Sequence, residues 1–355
     1  MSLKNPPPLA EIRSDPCPAC YLCANPGELL YQGLPDRLFG APGKWNLRRC
    51  ANPACGLVWL DPMPRKEEIY KAYQDYYTHQ GSAANRNSWF RLVRAFKNRL
   101  TKEGYLSWKY GYRSDALATW RRLLGMLIYC EPNRRAYADL GAMFQKVRPQ
   151  GRFLDVGCGN GWLLAEMAAL GWQVAGIDPD PKAVATARNS GFDAQVGDLA
   201  DQDYPENYFD TVSLCHVVEH VHDPVGLLQQ CYHILKPGGQ VVVVTPNIES
   251  WGHRLFKASW LGLDPPRHVY LFSEPLLHQL AERAGFGKIK LWTSMREAEQ
   301  NFLATRSIQR HGAYPGPDPQ GWGLKIWARS MYLAEWLILK ARPSWGEEIV
   351  AVLEK

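Results

Sequence analysis

The stretch from Arg152 to Gly161, RFLDVGCGNG, constrains this chain more than any other. Phe153, Leu154 and Val156 make a short apolar run that breaks into glycines at 157, 159 and 161. A helix-like pattern (Trp162, Leu163, Leu164, Met167) follows at once. A buried strand that ends in a glycine turn before a helix offers bare backbone N–H groups to a ligand, unobstructed by Cβ atoms. Such a turn alone serves any nucleotide. A pyrophosphate, however, is cradled where the strand end is apolar, and here Asp155 puts a carboxylate into it. That charge repels phosphate and attracts an amine or a sulfonium. A second run, Val174-Ala175-Gly176-Ile177-Asp178, ends in an acid ~20 residues after the glycines, the placement of a carboxylate that holds two ribose hydroxyls. Val196-Gly197-Asp198 adds a third acid at a third strand end. Three acids at three strand tips suit a cationic nucleoside better than a dinucleotide, and turn punctuation does not account for them.

The motifs Leu154-Asp155-Val156-Gly157-Cys158-Gly159-Asn160-Gly161, Gly176-Ile177-Asp178, Gly197-Asp198, His216-Val217-Val218-Glu219-His220 and Leu235-Lys236-Pro237-Gly238-Gly239 occur in that order. In order and spacing they resemble those of class I S-adenosylmethionine-dependent methyltransferases, over roughly residues 149–295 and 346–355. The resemblance implies that Asp155, Gly157, Gly159 and Gly161 face the methionine part of S-adenosylmethionine, Asp178 the ribose and Asp198 the adenine edge, with His216 also on the cofactor side. It also implies an α/β, doubly wound, Rossmann-like sheet of seven strands.

The residues point the same way. Short apolar runs at Phe153–Cys158, Gln173–Asp178, Ala194–Gly197, Phe209–Cys215 and Gln240–Thr245 alternate with helical stretches, which predicts a mostly parallel sheet. Lys288–Thr293 reads as a sixth strand and Glu347–Lys355 as an antiparallel seventh. Lys236-Pro237-Gly238-Gly239 reads as a helix stop.

Ahead of this core, Cys17-Pro18-Ala19-Cys20 and Cys50-x4-Cys55-Gly56 set two cysteine pairs on tight turns, as a tetrahedral zinc ion requires. Cys17, Cys20, Cys50 and Cys55 are the expected ligands, with Cys23 competing for the place of Cys20. Four thiolates leave no open position, so this zinc is structural. The organisation expected is a zinc-ribbon leader over 1–62, which needs its metal to fold, a helical connector over 63–148, and a core over 149–355 with a helical insertion at about 296–343. With Leu57-Val58-Trp59-Leu60-Asp61-Pro62 behind it, the ribbon resembles the leader on some methyltransferases of sugar and natural-product pathways.

Residues 1–16 are proline-rich and read as an extended lead-in. In the connector, 67–77 is aromatic-rich and suits a pocket roof. Trp89, Leu92, Val93, Phe96 and Leu100 interleave with Arg91, Arg94, Lys97 and Arg99 as a basic amphipathic helix. Its bland fate is packing on the domain; its sharper one is contact with anionic lipid. The apolar helix Leu324–Lys340 in the insertion covers the acceptor pocket, forms a dimer contact or core packing, or rests on a membrane. With 41 basic and 35 acidic residues, the net charge of +6 permits an anionic partner without demanding one. The basic residues are scattered and form no stripe for RNA. No apolar run reaches the ~18 residues of a membrane-spanning helix. The N-terminus lacks a signal-peptide core, and with unevenly spaced cysteines a cytoplasmic setting is expected.

Methyl transfer is an in-line displacement, so the protein aligns the nucleophile and accepts a proton where the nucleophile carries one. The acceptor belongs at the ends of the fourth and fifth strands, where His216, Glu219, His220 and His222, then Thr245, Pro246 and Asn247, and the loop Asp264-Pro265-Pro266-Arg267-His268 fall. His220 and His268 are the candidate bases, with Glu219 fixing the loop and Arg267 available to an acceptor phosphate or carboxylate. His216-x-x-Glu219-His220 resembles the Glu-x-x-Glu-His segment of ubiquinone-pathway O-methyltransferases, where carboxylates and His hold a divalent ion, and departs from it at His216. The reading favoured is methylation, at oxygen, of a small molecule or a glycan- or lipid-linked intermediate. C-methylation of a nucleotide-linked deoxysugar, RNA methylation and a non-catalytic scaffold follow in that order.

Overall fold

In the leader, Trp45-Asn46-Leu47-Arg48-Arg49-Cys50 alternates buried and half-exposed side chains, the signature of a strand with one covered face. The computed structural model describes residues 11–73, 89–112, 118–314 and 321–355. Its leader strands are β1 (Ser14–Asp15), β2 (Gly27–Leu34), β3 (Trp45–Cys50), β4 (Val58–Leu60) and β5 (Met63–Pro64). Three helices follow: α1 (Trp89–Tyr110), α2 (Ala118–Met126) and α3 (Pro132–Gly141). Residues 1–10 of the proline-rich lead-in, the end of the aromatic segment 67–77 beyond 73, and the side chains of Arg91, Arg94 and Lys97 lie outside the described residues.

The core then alternates as β6 (Arg152–Val156), α4 (Trp162–Ala169), β7 (Gln173–Asp178), α5 (Pro181–Asn189), β8 (Asp193–Val196), β9 (Phe209–Cys215), α6 (Pro224–Ile234) and β10 (Leu235–Pro246). After α7 (Trp251–Phe256) come β11 (Tyr270–Leu271), α8 (Glu274–Arg283) and β12 (Lys288–Ser294). The chain closes with α9 (Ala298–His311), α10 (Trp322–Ala341) and β13 (Glu348–Glu354). Helix starts follow local chemistry: Pro181 and Pro224 open α5 and α6, and the Asp180 and Asp223 side chains accept from the N–H groups of Lys182 and Gly226.

The seven-stranded sheet runs β12-β13-β10-β9-β6-β7-β8. The five strands from β10 to β8 are parallel, and β13 pairs antiparallel with both β10 and β12. Every residue from Val241 to Val244 is buried, as expected of a central strand covered on both faces. Chain order reverses between β6 and β9, which opens the crevice where open α/β sheets bind ligands. Lys236–Gly239 follows the end of α6 at Ile234, and the chain is by then already in β10: Leu235, fully buried, pairs with Phe209, and the ladder shifts register before resuming at Gln240 and Thr211.

The leader is knitted into the core. β11 pairs antiparallel with β4 (Tyr270 with Trp59, Leu271 with Val58), giving a second sheet of order β11-β4-β3-β2. Trp45, Leu47, Val58 and Trp59 belong to the same buried cluster as Val212, Leu214 and Val241. In the insertion, α9 buries Phe302 against Trp251 and Phe256. Helix α10 buries Ala328, Tyr332 and Glu335 but exposes Trp322, Ile326, Leu333 and Leu337. No helix among the described residues is long and apolar enough to cross a membrane.

Candidate active site

At the β6 tip, Gly157 has φ +76, and a Cβ there would lie 2.6 Å from Val217 Cγ2. Only glycine lets this turn meet the loop after β9. The N–H groups of Gly157 and Cys158 donate to the Ile177 carbonyl at 2.7 and 3.0 Å. Gly159 N–H donates to Asp178 Oδ2 at 2.8 Å, and Asp180 N–H to Oδ1 at 2.9 Å. Asp178 thus ties the glycine turn to the end of β7, while burial raises its pKa. Gly161, φ +83, caps the start of α4.

Asp155 is 3% exposed and accepts from the Ser213 hydroxyl. Burial pushes its pKa up to about 7; the Ser213 hydrogen bond opposes that rise and the Asp178 charge adds to it. No Lys, Arg or His among the described residues makes an ion pair with Asp155 or Asp178. Two buried carboxylates beside the glycine turn, with no cation among the described residues to neutralise them, fit a cationic nucleoside such as S-adenosylmethionine. Asp198 occupies the third tip, where Lys66 Nζ of the leader side lies 2.8 Å from its Oδ2.

The β9 tip carries the remaining candidates. His216, φ +55, turns the chain out of the strand while its N–H donates to the Val244 carbonyl at 2.8 Å. Its Nδ1 meets Glu219 Oε1 at 3.2 Å and its Nε2 meets Glu348 Oε1 at 3.1 Å. Burial opposes charge on this ring, but the two carboxylates prevail and raise its pKa well above the ordinary value. Arg296 completes the network on Glu348, with Nε 3.1 Å from Oε2. Sequence reasoning missed both Arg296 and Glu348. The signal available was a glutamate at the edge of an otherwise apolar last strand, and β13 sets Glu348 opposite Pro246 in the ladder.

Glu219, His220 and His268 converge so that one ligand atom from each lies within 4.8 Å of the others. Glu219 is fully buried and takes the Thr245 hydroxyl at 2.9 Å. Burial alone would raise its pKa, but His216 and His220 hold it at about 2. His220 Nδ1 faces the Arg267 carbonyl at 2.9 Å and His268 Nδ1 faces the Gly262 carbonyl at 2.8 Å. Only an N–H satisfies a carbonyl, so each neutral ring keeps Nε2 as its acceptor. Burial, reinforced by His268, brings the pKa of His220 down to about 4.

Arg267 is corrected. Its guanidinium is fully buried and is taken up by Asp36 at 2.7 and 2.8 Å and by Asp264, with a further bond to the Ala72 carbonyl. It ties leader to core and has no donors left for an acceptor.

The cysteine set is corrected at one member. Cys20, Cys23, Cys50 and Cys55 bring their sulfurs within 4.8 Å of one another, with 3.6 Å between Cys20 and Cys55 and 3.4 Å between Cys23 and Cys50. Zn–S bonds of about 2.3 Å in a tetrahedron set sulfurs about 3.8 Å apart, so the cluster fits such an ion. Cys17 lies outside it. Its N–H donates to Asp61 Oδ1 at 2.7 Å and its carbonyl accepts from Trp59 Nε1 at 2.8 Å, which fixes its backbone beside β4. The knuckle forms instead over Cys20–Cys23, closed by Ala24 N–H on the Cys20 carbonyl.

A family model described as a methyltransferase domain matches residues 129–291. The ubiquinone biosynthesis O-methyltransferase of Xanthomonas oryzae pv. oryzae (strain PXO99A) is 40% identical over 105 residues, 27% of this chain and 43% of that protein. The enzyme of the same name from Cereibacter sphaeroides is 33% identical over 150 residues, 39% of this chain and 61% of that protein. The chain thus spans less than two thirds of these relatives. Among solved structures, phosphoethanolamine N-methyltransferase 2 of Haemonchus contortus aligns with TM-score 0.45 and 17% identity, covering 84% of this chain and 62% of that one.

Proposed function

We propose that this chain, which carries a methyltransferase domain over residues 129–291, methylates an oxygen of a small molecule or of a glycan- or lipid-linked intermediate. The observation that carries the reading is the pair of buried carboxylates, Asp155 and Asp178, on either side of the glycine turn with no cation among the described residues to neutralise them. S-adenosylmethionine, when bound, supplies an electrophilic methyl on a sulfonium. Asp155 and the glycine turn face its methionine end, Asp178 the ribose hydroxyls and Asp198, sharing its charge with Lys66, the adenine edge. Oxygen as the acceptor atom is supported by the relatives' names as O-methyltransferases.

The acceptor hydroxyl must lose a proton as its oxygen attacks. His220 presents Nε2 as its acceptor and stays neutral at physiological pH because burial, reinforced by His268, holds its pKa at about 4, and the His268 ring stands beside it with centroids 4.8 Å apart. Glu219, ionised beside them, favours the imidazolium that forms. The Cys20, Cys23, Cys50 and Cys55 cluster holds a structural zinc, since four thiolates leave no position for substrate.

Calorimetry with S-adenosylmethionine, followed by transfer of its labelled methyl to phenolic, glycan and lipid-linked acceptors, tests the reading. Micromolar binding and label on an ether oxygen are expected. A protein that binds no S-adenosylmethionine overturns it.

A further inference from the structure

A cavity of about 460 Å³ opens between α3, α10 and the ends of β10, β12 and β13. Two of its sides are aromatic. Phe144 and Trp292 meet edge to face at 5.0 Å, while Tyr129 stands on the connector side and Trp336 on α10. Its volume falls in the range of about 300–1,000 Å³ typical of small-molecule sites.

The charges on the wall do not cancel. Asp139 is taken by the hydroxyls of Tyr105 and Tyr110, both at 2.7 Å, and by Lys109 Nζ at 2.9 Å. Glu348 is taken by Arg296 and His216, and Arg296 reaches Glu297 as well. That leaves Arg135 and Lys340, neither of which has a carboxylate partner among the described residues. Each instead rests over an aromatic ring of the same cavity, Arg135 at 5.2 Å from the Tyr129 centroid and Lys340 at 4.9 Å from that of Trp336. A cation that is stacked on a ring and unpaired keeps its remaining N–H donors for an anion.

We propose that this cavity binds the body of the methyl acceptor, and that the acceptor is an anion, a carboxylate or phosphate, carried on a flat aromatic body. The proposal rests on the methyl-transfer reading, because the cavity touches that site: Glu348, on its wall, bonds His216 Nε2 at 3.1 Å, and wall residue Val244 takes the His216 N–H. Arg135 and Lys340 clamp the anion, and the rings of Trp292, Phe144 and Trp336 enclose the body. The insertion that contributes α10 thereby becomes a specificity element.

The test titrates the full chain, saturated with S-adenosylhomocysteine, with 2-naphthoate and with its neutral counterpart 2-naphthylmethanol. The anion should bind at least about tenfold more tightly than the alcohol. The double variant Arg135→Gln/Lys340→Gln should lose about tenfold or more for naphthoate while its affinities for the alcohol and for S-adenosylhomocysteine stay as in the parent protein. Trp336→Ala should weaken both probes. Equal binding of the two probes, undiminished naphthoate binding in the double variant, or no effect of Trp336→Ala overturns the proposal. Because S-adenosylhomocysteine is titrated separately, its failure to bind sinks the methyl-transfer reading, whereas its binding with no discrimination between probes sinks this one alone.

Discussion

Asp155 holds its proton far above the ordinary carboxylate range because it is buried beside a second acid. The sign of the consequence follows from linkage. The unfolded chain releases this proton near pH ~3.9, the folded protein at about 7, so between those values the folded state binds more protons and this group's contribution to stability falls as pH rises. A cationic ligand favours the carboxylate, so its binding strengthens through the same window. Asp155→Asn should therefore raise the melting temperature of the free protein, by more at about pH 8 than at about pH 5. The parent's affinity for S-adenosylmethionine should increase about tenfold from about pH 6 to about pH 8 while the Asn variant stays flat. Parallel melting and binding curves for the two proteins would remove the carboxylate from the cofactor's surroundings. Asp178→Ala loses both a ribose partner and the acceptor of the Gly159 N–H, and calorimetry should show affinity at least about tenfold lower. Arg267→Ala leaves Asp36 and Asp264 buried without their cation and should cost about 3–5 kcal/mol in urea unfolding. Lysine in its place recovers little, since a point charge cannot bridge the two carboxylates bidentately.

Among the elements, what the sequence showed and what it hid separate by range. Strand β6, the glycine turn and the acids behind it were readable because their chemistry is local: Phe153, Leu154 and Val156 must be buried, and Gly157 must turn. Arg267 was misread as a ligand-binding cation because nothing near it in the chain announces Asp36. The cysteines show the same limit at shorter range. Cys17-x2-Cys20 and Cys20-x2-Cys23 have identical spacing, and only the bonds of Cys17 to Asp61 and Trp59, made across the leader, decide between them. The two ligand sets give opposite outcomes. Elemental analysis should find about one zinc per chain in Cys17→Ser and a large loss in Cys23→Ser; the reverse pattern would restore the set expected from spacing. His220 and His268 were each legible as candidate bases, but their convergence with Glu219 was not, since it depends on the loop before β11 returning to the β9 tip.

For the molecule as a whole, the leader is part of the core's structure. β11 is the edge of the leader's own sheet and lies between α7 and α8 of the core. The Tyr31 hydroxyl lies 2.9 Å from His253 Nε2, Arg283 reaches the Leu22 carbonyl at 2.7 Å, and the buried Arg267 closes on Asp36. Trp45 and Trp59, 2% and 0% exposed, would lose their cover or leave cavities if the two parts separated. The hydrophobic loss at such positions runs to about 3–5 kcal/mol per large side chain, against a total stability of about 5–15 kcal/mol for a typical domain. A fragment beginning at residue 63 should therefore fail to fold cooperatively, with no sigmoidal transition in thermal or urea unfolding. The fragment's position also bears on the site, since β11 is the strand that carries His268 back toward Glu219 through the Val269 N–H bond to the Glu219 carbonyl at 2.8 Å. A fragment that unfolds in one sharp transition and still binds S-adenosylmethionine would show that the leader is an appendage and that His268 is positioned by the core alone.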